Sequence, residues 1–264
     1  MENIYIGTSG WSYQHWKGVF YPDNLSQKKL FPYYCQYFDS VEVNATFYRW
    51  FKESTYLNWR EKAPHGFKYV LKAPKLITHF RRLKDCNKEI KDFYTSANLL
   101  KENFGLILLQ LPPNLNYDLM LLKDTLKQFE DPAKIAIEFR NETWIRKETF
   151  ALLSEFKATY CIVDSPKLND LIRFQEFAFS NEHDMIYPGP SYPVTSITAY
   201  IRLHGRTKWF DYNYSEQELN DLARIVEFII KKGIENIYIF FNNDTAAYAV
   251  FNGLYLKKQI SQIL

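Results

Sequence analysis

Arg202, His204 and Arg206 recur at every second position, with Ile201 and Leu203 alternating between them, so a strand here is apolar on one side and cationic on the other. Two guanidiniums and an imidazole on one strand face are costly to bury unless an anion meets them. Glu138, Asp164 and His204 fall at the ends of three successive apolar runs. Carboxylate plus imidazole serves two chemistries, proton transfer or divalent-metal binding. Arg140 and Arg202, expected beside them, would repel a cation and compete for the carboxylates. The expected roles are therefore Glu138 or Asp164 as general base, His204 as general acid, and Arg202 and Arg206 as a clamp on an anion. No resident cofactor is expected; a divalent metal, with Glu42, His79 and Asp244 as extra ligands, is the alternative.

Positioning these groups requires strands. Short apolar runs at residues 4–9, 40–46, 67–72, 106–111, 134–139, 159–164, 197–204 and 236–242 read as strands. Helix-like segments lie between them at 25–38, 54–62, 85–104 (stopping at Gly105), 117–129, 147–156, 215–232 and 244–264. Ser215-Glu-Gln-Glu218 is a capping box and Gly233 a helix stop. Residues 165–195 carry Pro and Gly but no clear long helix, and a connection of that size is expected to be functional or mobile. Eight strands alternating with helices predict a TIM-type (β/α)8 barrel filling residues 1–264 as a single domain. A doubly wound sheet is the runner-up, weakened because no glycine-rich phosphate motif is present.

Alternate strand residues in such a barrel face the lumen. The lumen set reads Glu42, Asn44 and Thr46; Lys68 and Lys72; Gln110; Glu138 and Arg140; Asp164; Arg202 and His204; Asn242. Most stand near strand C-termini, where barrel active sites form. The rival is a buried ion-pair plug, which contributes little stability because desolvation offsets attraction. Asn242, Asn243 and Asp244 open the last helix, and loops after strands seven and eight often hold phosphate. Lys72, Lys75 and Arg49 add positive charge. Trp11, Tyr13, Trp16, Tyr48, Trp144 and Trp209 follow strand ends, where rings could stack on a sugar or base, or wedge the loops.

Composition limits the partners. In 264 residues, 33 Lys+Arg against 30 Asp+Glu give a net charge of +3, too balanced to signal nucleic acid by itself. The basic cluster Lys75…Arg81-Arg82-Leu-Lys84 is a local exception. Cys35, Cys86 and Cys161 show neither metal spacing nor a disulfide framework. The chain starts directly in a strand pattern and has no apolar run of membrane-spanning length. A cytoplasmic protein with no membrane partner is expected; oligomeric state is not readable.

The motifs Gly7-Thr-Ser-Gly-Trp-Ser-Tyr13, Val41-Glu-Val-Asn-Ala-Thr-Phe-Tyr-Arg49, Lys72-Ala-Pro-Lys75…His79, Leu109-Gln-Leu-Pro-Pro113, Glu138-Phe-Arg140…Trp144, Asp164-Ser-Pro166, Arg202-Leu-His-Gly205 and Phe241-Asn-Asn-Asp244 together resemble the YecE-like family, domain of unknown function 72. The resemblance runs from residue 4 to about residue 253 and implies a TIM-type barrel without an established activity. The family has been likened to barrel endonucleases that act on abasic DNA, a fold-level analogy. Three positions depart from the family pattern: Phe51 where Pro is expected, Asn141 where His is common, and Gly253 where Ala is usual. The overall expectation is an enzyme acting on a phosphorylated or otherwise anionic small molecule, using carboxylate/His acid–base chemistry as a hydrolase, lyase or isomerase. The alternative is a nucleic-acid-binding or endonuclease-like protein acting on a phosphodiester backbone.

Overall fold

The computed structural model describes residues 3–167 and 194–263. Its strands are β1 (Asn3–Thr8), β2 (Ser40–Val43), β3 (Lys68–Lys72), β4 (Phe104–Gln110), β5 (Ile135–Glu138), β6 (Thr159–Asp164), β7 (Thr198–Leu203) and β8 (Asn236–Phe241). They close in sequence order into a barrel whose recorded pairings are parallel. Closure is the (β/α)8 architecture and excludes the open doubly wound sheet. Helices α1 (Leu30–Tyr34), α2 (Ala45–Tyr48), α3 (Glu53–Lys62), α4 (Asn87–Asn98), α5 (Leu119–Leu126), α6 (Lys147–Glu155), α7 (Glu216–Lys231) and α8 (Tyr248–Ile263) lie between and after the strands. None of the helices described is long and apolar enough to cross a membrane. Of the connection 165–195, positions 168–193 lie outside the described residues.

The chain forms two compact units. One comprises residues 1–41, 162–193 and 197–264. Within it, β8 pairs with β1 from Asn3↔Asn236 to Thr8↔Phe241 and with β7 from Thr198↔Asn236 to Leu203↔Phe241. Gly7 permits the approach of β1 to β2, since a Cβ there would stand 2.2 Å from the Ser40 carbonyl oxygen. Helix α7 begins at the predicted capping box, buries Leu219, Leu222, Ile225, Val226 and Ile229, and is followed by Gly233 at φ +86°. An alanine at Gly253 would put its Cβ 3.0 Å from the Phe38 ring, which accounts for the glycine at this departure from the family pattern.

The other unit comprises residues 42–161 and 194–196. Here β4 pairs with β3 and with β5, the latter in register through Gln110↔Glu138. Two elements of this unit and one of the first differ from expectation. The second strand stops at Val43: Asn44 takes helical dihedrals, and the Thr46 hydroxyl lies 2.8 Å from the Val43 carbonyl and 2.7 Å from that of Lys72. Thr46 is therefore on α2, not on a strand. Gly105 is no helix stop but lies in β4; α4 ends at Asn98, and Lys101 takes the left-handed conformation in the turn before the strand. The expected helix at 25–38 shrinks to α1, preceded by a 3-10 turn, because Pro32 lacks the amide a longer helix needs.

Candidate functional site

In the first unit, Asp164 is the last residue of β6 and is fully buried. Arg206 donates from Nε to Asp164 Oδ2 at 2.9 Å and from Nη1 to Glu218 Oε1 at 2.8 Å. The Tyr212 hydroxyl donates to the same Glu218 oxygen at 2.8 Å, while Glu218 Oε2 accepts from the amide and hydroxyl of Ser215. Asp164 Oδ1 has no hydrogen-bond partner among the described residues. Burial raises the Asp164 carboxyl above its ordinary value and outweighs the opposing pull of Arg206. Glu218 moves down: although burial opposes ionisation, the Ser215 amide, Tyr212 and Arg206 prevail.

The buried His204 backbone amide donates to the Asp164 carbonyl at 2.8 Å. Its ring Nε2 lies 3.2 Å from Arg202 Nη1, and Nδ1 lies 2.9 Å from the Asn242 amide. A guanidinium only donates, so Nε2 must accept and carries no proton. The neutral imidazole then holds its proton on Nδ1, which requires Asn242 to present its amide oxygen; amide orientation is set by such networks. This bonding opposes the general-acid role expected for His204, because an imidazolium would put an N–H against Arg202. Arg206 likewise has its charge met by Asp164 and Glu218, which weakens its expected part as a clamp on an anion.

Other expected residues of this unit have structural tasks. The amide nitrogen of buried Asn243 donates to the Tyr212 carbonyl at 2.7 Å and to Asn252 Oδ1 at 2.8 Å. The Asp244 carbonyl accepts from the Trp16 indole at 3.2 Å, and burial raises its carboxyl. Tyr13 donates to the Ser9 carbonyl at 2.5 Å, and Trp11 meets Phe31 edge-on at 5.2 Å. Gly205, at φ +101°, turns the chain directly after His204; a Cβ there would lie 2.4 Å from the Lys208 carbonyl oxygen.

In the second unit, Glu138 ends β5, fully buried, and its Oε1 accepts from Gln110 Nε2 at 2.9 Å and from Arg140 Nε. Glu42 is buried on β2. Lys72 ends β3, with Nζ 4.3 Å from the centre of the Phe47 ring. The His79 ring meets Phe47 edge-on at 4.9 Å, and its Nδ1 lies 2.9 Å from the Thr78 hydroxyl. His79 sits on a π-helical turn, Leu76–Phe80, a geometry that recurs at functional positions. Burial holds its imidazole below the ordinary value, and the positive charges of Lys72 and Arg140 push it the same way. Asn44, Lys72, His79, Gln110 and Arg140 are half-buried, whereas Glu42, Thr46 and Glu138 are fully buried.

Of the two roles open to Trp144, its packing is that of a wedge in the loop: it is fully buried, stacked on Phe139 at 5.0 Å, with its indole donating to the Leu115 carbonyl at 2.7 Å. Asn141, where the family pattern favours His, clamps its loop by accepting from Thr143 and donating to the Pro113 carbonyl at 2.8 Å. Tyr48 and Arg49 are exposed, with Arg49 4.5 Å over the Phe51 ring. Among the described residues, no cluster of three His, Cys, Asp or Glu side chains has metal-ligand geometry. Sequence reasoning missed Phe47 and Thr78 entirely, and saw Glu218 only as a helix cap; the capping-box signal carries no hint of a partner twelve residues upstream.

The comparisons with known proteins agree with the fold. The family model described as "Protein of unknown function DUF72" matches residues 5–263. The UPF0759 protein YunF of Bacillus subtilis is 24% identical over 289 aligned positions, spanning 99% of this chain and 94% of that protein. The UPF0759 protein YecE of Escherichia coli is 32% identical over 111 residues, 41% of this chain and 38% of that protein. A solved DUF72 family structure from Thermotoga maritima matches with a TM-score of 0.81 at 29% identity, covering 98% of this chain and 99% of the other. One from Enterococcus faecalis gives 0.78 at 22% identity, covering 98% and 95%, which speaks to the fold alone.

Proposed function

The chain belongs to the DUF72 family, and from its side chains we propose that it is an enzyme that binds a small phosphorylated or otherwise anionic molecule. The observation that carries this reading is that Lys72, the last residue of β3, and His79 lie against the same Phe47 ring, at 4.3 Å and 4.9 Å, with Arg140 following β5 and both cations opposing protonation of the imidazole. An anion relieves that repulsion. In this reading Lys72 holds the anionic group, while Arg140, paired with Glu138, adds positive field beside it. The Thr78 hydroxyl lies 2.9 Å from His79 Nδ1; in this reading it donates to Nδ1, which leaves Nε2–H as a neutral donor towards the anion. Glu138, whose Oε1 accepts from Arg140 and Gln110, is the general base. Carboxylate-driven proton transfer is the step that a hydrolase, lyase or isomerase of this kind would share.

The test is an NMR titration of the His79 ring against pH, with and without inorganic phosphate. A bound anion raises the His79 value towards that of ordinary histidine, and Lys72→Ala removes the response. An identical curve in both buffers would sink the proposal. If phosphate responds, phosphorylated metabolites and their unphosphorylated counterparts are screened for turnover, and Glu138→Gln should abolish turnover while retaining binding.

A further inference from the structure

The segments 45–52 and 75–84 of the second unit carry Arg49, Lys52, Lys75, Arg81, Arg82 and Lys84, and no Asp or Glu. These six cations exceed the chain's entire net charge of +3, so the remainder is net acidic. Arg81 is ion-paired with Glu89 at 2.9 Å; the other five make no ion pair with a described residue. Leu83 is the buried anchor that leaves Arg82 and Lys84 on its two sides exposed.

The same segments expose large rings. Tyr48 is 68% exposed, Phe80 67% and Trp50 44%. Lys75 Nζ lies 6.0 Å from the Tyr48 ring and 5.3 Å from the Phe80 ring, placing a cation between two exposed aromatics. Phe47 braces Tyr48 edge-on at 5.0 Å, and Phe93 braces Trp50 at 5.9 Å. Exposed rings are costly in water unless something flat covers them, and the surrounding charge demands a polyanion.

We propose that this aromatic and cationic surface binds single-stranded nucleic acid, with bases stacked on Tyr48 and Phe80 and the intervening phosphate held by Lys75. Stacking on rings beside backbone-tracking cations is how sequence-tolerant single-strand binding works. A lipid surface is disfavoured because these segments expose no large aliphatic side chain: Ile77 and Leu83 are buried and Leu76 half-buried. The surface adjoins the Lys72–His79–Arg140 site through Phe47, but its test reads Tyr48, Phe80, Lys75 and Arg82, none of which the anion site uses.

The experiment is fluorescence anisotropy of a labelled oligothymidylate across a potassium chloride series. Affinity should fall with salt by roughly 0.7 log units per log unit of salt for each phosphate held. Tyr48→Ala and Phe80→Ala should each weaken binding by ~5- to 150-fold with the salt slope kept. Lys75→Ala and Arg82→Ala should instead flatten the slope. Matching thermal midpoints verify that these exposed variants fold. Four results overturn the proposal: no binding at low salt, ring variants that bind like the parent, duplex bound as tightly as single strand, or preferential capture by phosphatidylserine vesicles.

Discussion

At the scale of single residues, protonation decides what each group can do. The approach of Arg202 Nη1 to His204 Nε2 calls for a bare Nε2 and a proton on Nδ1, so nitrogen-15 shifts should show a protonated Nδ1 and a bare Nε2 at neutral pH. Asn242→Leu removes the acceptor and strands a buried N–H, at a cost of about 1–3 kcal/mol in a urea melt; an imidazolium signal at neutral pH would refute the assignment. His79 carries the opposite kind of information. Its folded value lies below the unfolded value of about 6.5, so the unfolded chain takes up a proton that the folded chain refuses. Stability therefore falls as pH drops through the unfolded value towards the folded one, and His79→Gln should flatten that part of the stability curve. Asp164 is raised, so its sign is reversed: it favours the folded state most where protonated. In Arg206→Met the carboxylate loses its counter-charge, costing about 3 kcal/mol at neutral pH. That deficit should shrink on acidification, as protonation removes the orphaned charge, and melts at neutral and mildly acidic pH decide it.

At the scale of elements, the capping box of α7 is also an arm of the Asp164 cluster. Ser215→Ala loses a cap, for about 1 kcal/mol. Glu218→Ala should cost more than that in the same denaturant titration, since it also frees Arg206 and Tyr212; equal losses would mean that the cluster adds nothing to the cap. The strands were largely legible as short apolar runs, because barrel strands are buried on both faces, and the capping box and Gly233 marked α7 to within a residue. Legibility failed where local backbone choices outweigh pattern. Asn44 turns helical inside an alternating run, so parity assigned Thr46 to a strand that had already ended. Lys101 does a turn that glycine normally performs, so Gly105 misled. The polar residues at strand ends were found because charged side chains in apolar runs are conspicuous. Their partners were not, since Glu218, Phe47 and Thr78 reach their neighbours through tertiary packing rather than sequence spacing.

At the scale of the whole molecule, charge is partitioned rather than balanced. A chain of net charge +3 that places six cations and no acid in two short segments carries a local concentration of positive charge. It should be retained on a cation exchanger near neutral pH more strongly than its net charge warrants. Arg82→Glu combined with Lys84→Glu should release it early, whereas the same charge change at Lys147 and Lys157, outside the patch, should matter less. Equal elution of the two double variants would show that net charge alone governs retention. The ladder through β1, β8 and β7 has a different consequence. Six consecutive residue pairs on each side of β8 place that strand between two full partners, whereas β1 and β2 share two recorded pairs. In deuterated buffer, amides from Ile237 to Phe241 should be among the last to exchange, their protons leaving only when the molecule unfolds globally.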